Sequence, residues 1–294
     1  MIDTTPEITL RDGYDKDASV NVLSTVWSEK GSWFDRVPRS VAVAGIFVVG
    51  VSFWQLVFLT GLVSPIILPS PLETVGQLIF VGHNLITGGY MLASLSVTMQ
   101  EVFYAFILSI SIGFSLGVIV GESSFGERAL MPYLVAFDTM PKVAFAPLFI
   151  AWLGFGIESK VALATYIATF PIIVGTAAGM HAADESSRMF FKTMGASRWQ
   201  TLIKMKLPTG MPHFFTGLKI GSVGVMAGAI TGEFIGGGKG FGELIRVAST
   251  NLHIARVFAL IIYLSIFGLA IFMFVVWAQR RFVFWQKSSV IMEG

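Results

Sequence analysis

The sequence predicts an all-α integral membrane protein of about six transmembrane helices, and three observations carry that reading. Hydrophobic residues make up 54% of the 294 and charged residues 13%, with a mean hydropathy of +0.74; soluble domains run at about 45–50% and about 25%. Mainly apolar stretches of about 20 residues recur, the length that crosses about 30 Å of hydrocarbon at about 1.5 Å per residue. Lys and Arg concentrate in alternate connecting segments. A soluble domain of this length needs a charged surface that this chain does not have, so lipid must cover much of it.

Residues 1–40 carry 12 charged residues and read as a solvated tail. Val20, Leu23, Val26, Trp27, Trp33 and Phe34 in its second half suit an interfacial amphipathic helix, with a poorly ordered tail as the competing reading. Such a charged stretch is unlike the short basic start of a cleaved signal peptide. The first span, 41–62, holds no charge, and the segment 63–96 holds no Lys or Arg and opens with the proline-marked turn Pro65–Pro71. Further spans are expected over Val97–Gly121, Ala129–Phe155, Lys160–Met180, Phe215–Ile235 and Val257–Ala278. Pro132, Pro141 and Pro147 predict that the third is broken, which a membrane tolerates where neighbouring protein satisfies the freed backbone groups. A tail, 281–294, follows.

Charge then orients the bundle. With the N-terminus inside, 14 of the 20 Lys and Arg become cytoplasmic. They are Arg11, Lys16, Lys30, Arg36 and Arg39; Arg128; Arg188, Lys192, Arg198, Lys204 and Lys206; and Arg280, Arg281 and Lys287. Lys160, Lys239, Arg246 and Arg256 fall outside, and Lys142 and Lys219 within spans. This is the positive-inside pattern, so both termini are expected in the cytoplasm and 63–96 in the periplasm.

Little in the chain suits catalysis. It has no cysteine, and His83, His181, His213 and His253 are scattered without an i, i+4 pair, so no metal site and no catalytic residue is expected. The string Gly236–Gly242 (GGGKGFG) lacks the Ser or Thr that follows Lys in a phosphate-binding loop, and reads as a flexible break after the fifth span. No cofactor is therefore assigned to this chain, and any ATP must bind another one. A net charge of +2 with no basic patch argues against nucleic acid.

Three features remain. The insert His181–His213 mixes basic residues with Met189, Phe190, Phe191, Met194 and Trp199, and its length allows two short helices broken near Gly195 and Pro208. A 33-residue insert carrying large apolar side chains reads as a docking surface, against the plainer alternative of a basic loop held at lipid headgroups. Gly217, Gly221, Gly224, Gly228, Gly232 and Gly236 in the fifth span, and Gly113, Gly117 and Gly121 in the second, recur mostly four apart. Such faces let helices approach closely, which places the fifth span at or near a central pathway, against a neighbouring helix or a symmetry mate. Ionisable residues inside spans are functional candidates, since burying charge in lipid costs at least about 2.5–3.5 kcal/mol. Asp138 and Lys142 flank Pro141 four residues apart, as an ion pair or as lining of a solute path; Glu233 lies near the outer end of span five and Glu101 near the start of span two.

The insert resembles the cytoplasmic EAA loop of binding-protein-dependent ABC importer permeases, which runs E-A-A, three residues, G, nine residues, I-x-L-P. Gly195 is followed nine residues later by Met205-Lys206-Leu207-Pro208, keeping the Gly-to-Leu-Pro spacing, while Met189, Phe190 and Phe191 stand where the family has E-A-A. LPSP at 68–71, MPKVAFAPLFIAWLGFG at 140–156, GASRWQTLIKMKLP at 195–208 and GEFIGGGKGFGELI at 232–245 resemble the nitrate/sulfonate/taurine/bicarbonate branch. That branch also includes permeases for pyrimidine precursors and aromatic acids. The resemblance implies a type I importer permease core over 97–280 in a bacterial inner membrane. It implies a second permease copy, two cytoplasmic ATPases carrying ATP and Mg, and a periplasmic or lipid-anchored solute-binding protein. Met189, Phe190, Phe191, Lys192, Met194, Gly195, Ala196, Ser197, Leu207 and Pro208 would form the coupling loop. Asp138, Met140, Pro141, Lys142, Gly224, Gly228 and Glu233 are the candidates for the path of a small, anionic solute, with a neutral or aromatic nutrient as the alternative. A secondary transporter is the alternative of another class, though neither mid-membrane charge clusters nor repeated halves are evident.

Overall fold

In the computed structural model, residues 37–285 are described. The amphipathic helix expected around Val20–Phe34 and the end of the C-terminal tail lie outside them. Among the described residues the chain is helical and has no strand: α1 (Arg39–Leu59), α2 (Pro71–Ile86), α3 (Tyr90–Glu122), α4 (Met131–Thr139), α5 (Ala146–Leu153), α6 (Ile157–His181), α7 (Glu185–Thr193), α8 (Arg198–Thr201), α9 (Leu207–Gly236), α10 (Phe241–Thr250) and α11 (Ile254–Phe282). Five helical stretches are long and apolar enough to cross a membrane: Ser40–Leu59, Tyr90–Glu122, Ile157–His181, Arg198–Gly236 and Ile254–Phe282. The pair Gly126–Thr139 and Lys142–Leu153, bent by 87° at the Pro141 break, makes a sixth if counted as one span. Residues up to Phe53 form one unit and those from Trp54 a second, which carries everything described below.

Three boundaries differ from the expectation. The segment 63–96 holds a helix, α2, whose start is a capping box: the Glu73 N–H donates to Ser70 Oγ at 3.1 Å and the Ser70 N–H to Glu73 Oε2 at 3.4 Å, with Pro71 in the first turn. The second span begins at Tyr90 instead of Val97. Pro208 does not break the insert, because helix runs without interruption from Arg198 to Gly236. A π turn, Leu202–Lys206, precedes the proline, with the Leu207 N–H reaching back to the Leu202 carbonyl. Widening one turn gives the proline ring room that an α turn would fill with a carbonyl. The same device recurs at Gly126–Leu130, two residues ahead of Pro132.

The core is a three-helix layer with α6 between α3 and α9, and glycine sets both contacts. A Cβ on Gly113 would lie 2.8 Å from Ile172 Cβ, and one on Gly121 2.8 Å from Met180 Cβ. On the other side a Cβ on Gly228 would lie 2.5 Å from Ala164 Cα, while Gly179 and Gly210 leave each other no room for a Cβ beside their carbonyls. Backbones come this close only where side chains are absent. The glycine face of span five is therefore spent on α6 of the same chain. Apolar residues such as Phe103, Leu269 and Phe274 remain exposed on the outside, as a lipid-covered surface requires.

Candidate functional site

The insert closes one end of the layer. Asp184 caps α7 by accepting from the Ser187 N–H at 3.2 Å, and the Ser187 side chain and N–H hold its carboxyl below the usual aspartate range. The helix ends in a Schellman turn: the Gly195 N–H bonds the Lys192 carbonyl at 3.1 Å and the Ala196 N–H the Phe191 carbonyl at 3.0 Å, with Gly195 at φ +70°. Ser197 then starts α8 with a second capping box, paired with Gln200. This hinge-free turn sends Met189, Phe190, Met194, Trp199 and Ile203 outward, all more than 45% exposed. Lys192 is also exposed, whereas Phe191, Ala196, Leu207 and Pro208 are half-buried and tie the insert to the bundle. Lys206 Nζ reaches Glu122 Oε2, at the end of α3, at 2.7 Å. Exposed methionine and aromatic side chains beside basic ones make a surface suited to a folded partner.

The path candidates do not converge on one place. Asp138 and Lys142 pair across the bend at 2.6 Å, with Pro141 between them and Met140 exposed. Tyr166 of α6 steadies the bend by donating its hydroxyl to the Phe137 carbonyl at 2.5 Å and packing against the Phe145 ring. Gly228 is buried on Ala164; Gly224 is half-buried, and a Cβ there would meet Ala168 at an ordinary 3.5 Å. Glu233 lies at the end of the layer remote from the insert, fully buried.

At that remote end stands a cluster the sequence shows only as separate residues. Lys160 Nζ lies 3.4 Å from Glu101 Oε1 and donates to the Lys239 carbonyl at 3.2 Å. Thr98 donates its hydroxyl to Glu233 Oε1, and the Gly242 N–H donates to Glu233 Oε2. Glu101, Thr98 and Glu233 are 0% exposed and Lys160 is 4% exposed. Glu233 meets two donors, as a buried carboxyl requires, whereas the Glu101 oxygens accept no hydrogen bond and have Lys160 as their facing charge. The signal available in the sequence is Thr98, Glu101, Lys160 and Glu233 in three mainly apolar spans. The glycine string correctly marks the end of α9, but its glycines serve shape: Gly237, Gly238 and Gly240 have φ of +66°, +95° and +141°.

Five helical stretches long and apolar enough to cross a membrane, with an insert exposing apolar and basic side chains at one end, define a multi-span membrane protein. The chain belongs to the family described as binding-protein-dependent transport system inner membrane component, matched over residues 109–284. It is 33% identical over 76% of its length to 88% of the formylaminopyrimidine transport permease protein ThiX of Halalkalibacterium halodurans. It is 28% identical over 81% of its length to 85% of the putative aliphatic sulfonates transport permease protein SsuC of Bacillus subtilis. The taurine transport system permease protein TauC of Escherichia coli is 26% identical over 91% of this chain and 98% of its own. The fold is similar to a chain of the inward-facing MetNI methionine ABC transporter, with a TM-score of 0.58 and 16% identity over 66% of this chain and 96% of that one. The chain is thus the permease component of an ABC importer in the inner membrane, of the branch that includes sulfonate, taurine and nitrate permeases. Family membership also sets the secondary-transporter alternative aside.

Proposed function

We propose that this chain forms, with a second copy of itself, the membrane path by which a small anionic solute enters the cytoplasm. Two cytoplasmic ATPases, which bind ATP and Mg, dock on the inserts, and a solute-binding protein on the far side delivers the cargo. The observation that carries the coupling reading is the insert itself: a Schellman turn and a capping box hold Met189, Phe190, Met194 and Trp199 outward on a rigid frame. The spacing from Gly195 to Leu207-Pro208, which resembles that of the family's coupling loop, supports the same reading. The relatives named for sulfonates and taurine support an anion; Lys142 adds no support, because its charge is matched by Asp138 at 2.6 Å. A second reading, a neutral aromatic nutrient, is favoured by the 33% identity to a permease named for formylaminopyrimidine.

Gly195→Arg and Lys192→Glu are expected to abolish ATPase co-purification and uptake while membrane insertion survives; unchanged co-purification in both overturns the docking reading. Ligand-binding measurements on the partner binding protein separate the solutes. Tight binding of alkanesulfonates, taurine or nitrate supports the anion, and binding of pyrimidines alone selects the second reading.

A further inference from the structure

The start of α10 is gripped by three other helices. The first N–H groups of a helix have no partner within it. Here the Phe241 N–H donates to Thr98 Oγ1 of α3 at 2.9 Å and the Gly242 N–H to Glu233 Oε2 of α9 at 2.5 Å. The Thr98 hydroxyl in turn donates a hydrogen bond to Glu233 Oε1, so one carboxylate and one hydroxyl satisfy both donors. Lys160 of α6 holds the carbonyl of Lys239, just ahead of the helix. The glycines follow from this grip: a Cβ on Gly240 would collide with the Glu233 carboxylate, and one on Gly242 would lie 2.7 Å from the Ile230 carbonyl. The same α6–α9 pair is closed by glycine from Gly179–Gly210 beside the insert to Gly232, where a Cβ would lie 3.1 Å from Lys160 Cα.

We propose that Glu233, Thr98 and Lys160 are positioning residues that make α10 part of the α6–α9 body, so that a movement imposed at the docking insert is carried to α10 at the opposite end. This rests on the coupling reading above. α10 then reports ATP binding at the end where solute enters, although it lies the full length of α9 from the insert.

The chain has no cysteine, so single reporters can be placed without removing native thiols. Ala248 of α10 and Ala105 of α3 are both covered, at 4% and 0% exposure. In the full-length permease in membranes, Thr98→Val or Glu233→Ala is expected to raise alkylation of an Ala248→Cys reporter by a maleimide about tenfold, the scale of losing one buried partner. Thr98→Ser is expected to restore the parent rate, and an Ala105→Cys reporter to stay protected throughout. In the complex with its ATPases, ATP is expected to change the alkylation of a Thr250→Cys reporter, and Glu233→Ala to erase that change with the ATPases still bound. Protection of Ala248→Cys in both variants, joint exposure of both reporters, or an ATP-linked change that persists in Glu233→Ala overturns the proposal. Failure of the docking reading shows separately, as lost ATPase co-purification in the parent with the Ala248→Cys pattern intact.

Discussion

Gly224 and Gly228 sit one helical turn apart on α9 and are interchangeable in the sequence, yet their surroundings differ. A methyl group at Gly224 would touch Ala168 at 3.5 Å, whereas one at Gly228 would drive into Ala164 Cα at 2.5 Å. Overpacking of that kind costs about 1–3 kcal/mol. Gly228→Ala is therefore expected to lower the melting temperature of the detergent-solubilised protein and to impair transport, with Gly224→Ala close to wild type. Equal behaviour of the two would mean that α6 and α9 do not meet as described. The buried cluster shows the limit of the sequence at this scale. Glu101 is visible as a charge in an apolar span, but a span starting at Val97 puts it at the membrane edge. With α3 starting at Tyr90, Glu101 lies about three turns into that helix, beside Lys160 at the remote end of the layer. Depth depends on where a helix begins, and Gly89, its N-cap, gives no side-chain cap signal.

Elements were legible where local chemistry punctuates them. The Schellman turn after α7 is marked by Gly195, and the broken third span by Pro141. The start of α2 is also written in the sequence as Ser70-Pro71-Leu72-Glu73, a capping box masked by the prolines of Pro65–Pro71. Pro208 misled, because a proline after a π turn continues the helix, and π turns have no composition signature. Gly195 has open space around it, so its constraint is conformational alone. Gly195→Ala is expected to destabilise the turn by roughly 1 kcal/mol, the scale of a left-handed L-residue, and Gly195→Asn by less. Reduced ATPase affinity in the first and near-normal affinity in the second is the outcome that checks it. The Lys206–Glu122 pair makes a separate case. At 15% and 33% exposure it contributes less than about 1 kcal/mol to stability. It joins the insert to the end of α3, so its loss should show in coupling more than in melting. Lys206→Glu is expected to raise ATP hydrolysed per solute imported, with Glu122→Lys added back restoring the ratio; a double variant no better than the single would remove the pair from the coupling route.

Across the whole molecule the question is which end faces the cytoplasm, and the structure sharpens the charge argument. Arg128, Arg188, Lys192, Arg198 and Lys204 are solvent-accessible on or near the insert end, and Arg280 and Arg281 close α11. The basic residues of the opposite end are largely engaged within the chain. Lys160 is buried with Glu101, Arg246 forks onto Glu243 with two 2.6 Å bonds, and Arg256 bonds Gln77 at 3.0 Å while lying over the Phe80 ring. The positive-inside rule counts Lys and Arg in the connecting segments, and more of them lie at the insert end than at the opposite one. We propose the orientation with the insert inside, the one that would present Met189, Phe190 and Trp199 to a cytoplasmic ATPase. Two single-cysteine variants of this cysteine-free chain decide it. In intact cells a membrane-impermeant maleimide is expected to label Thr250→Cys, at the end of α10, and to leave Ser186→Cys, in the insert, unlabelled until the membrane is permeabilised. The reverse pattern would turn the protein over, place the insert out of reach of any cytoplasmic ATPase, and with it remove the coupling reading.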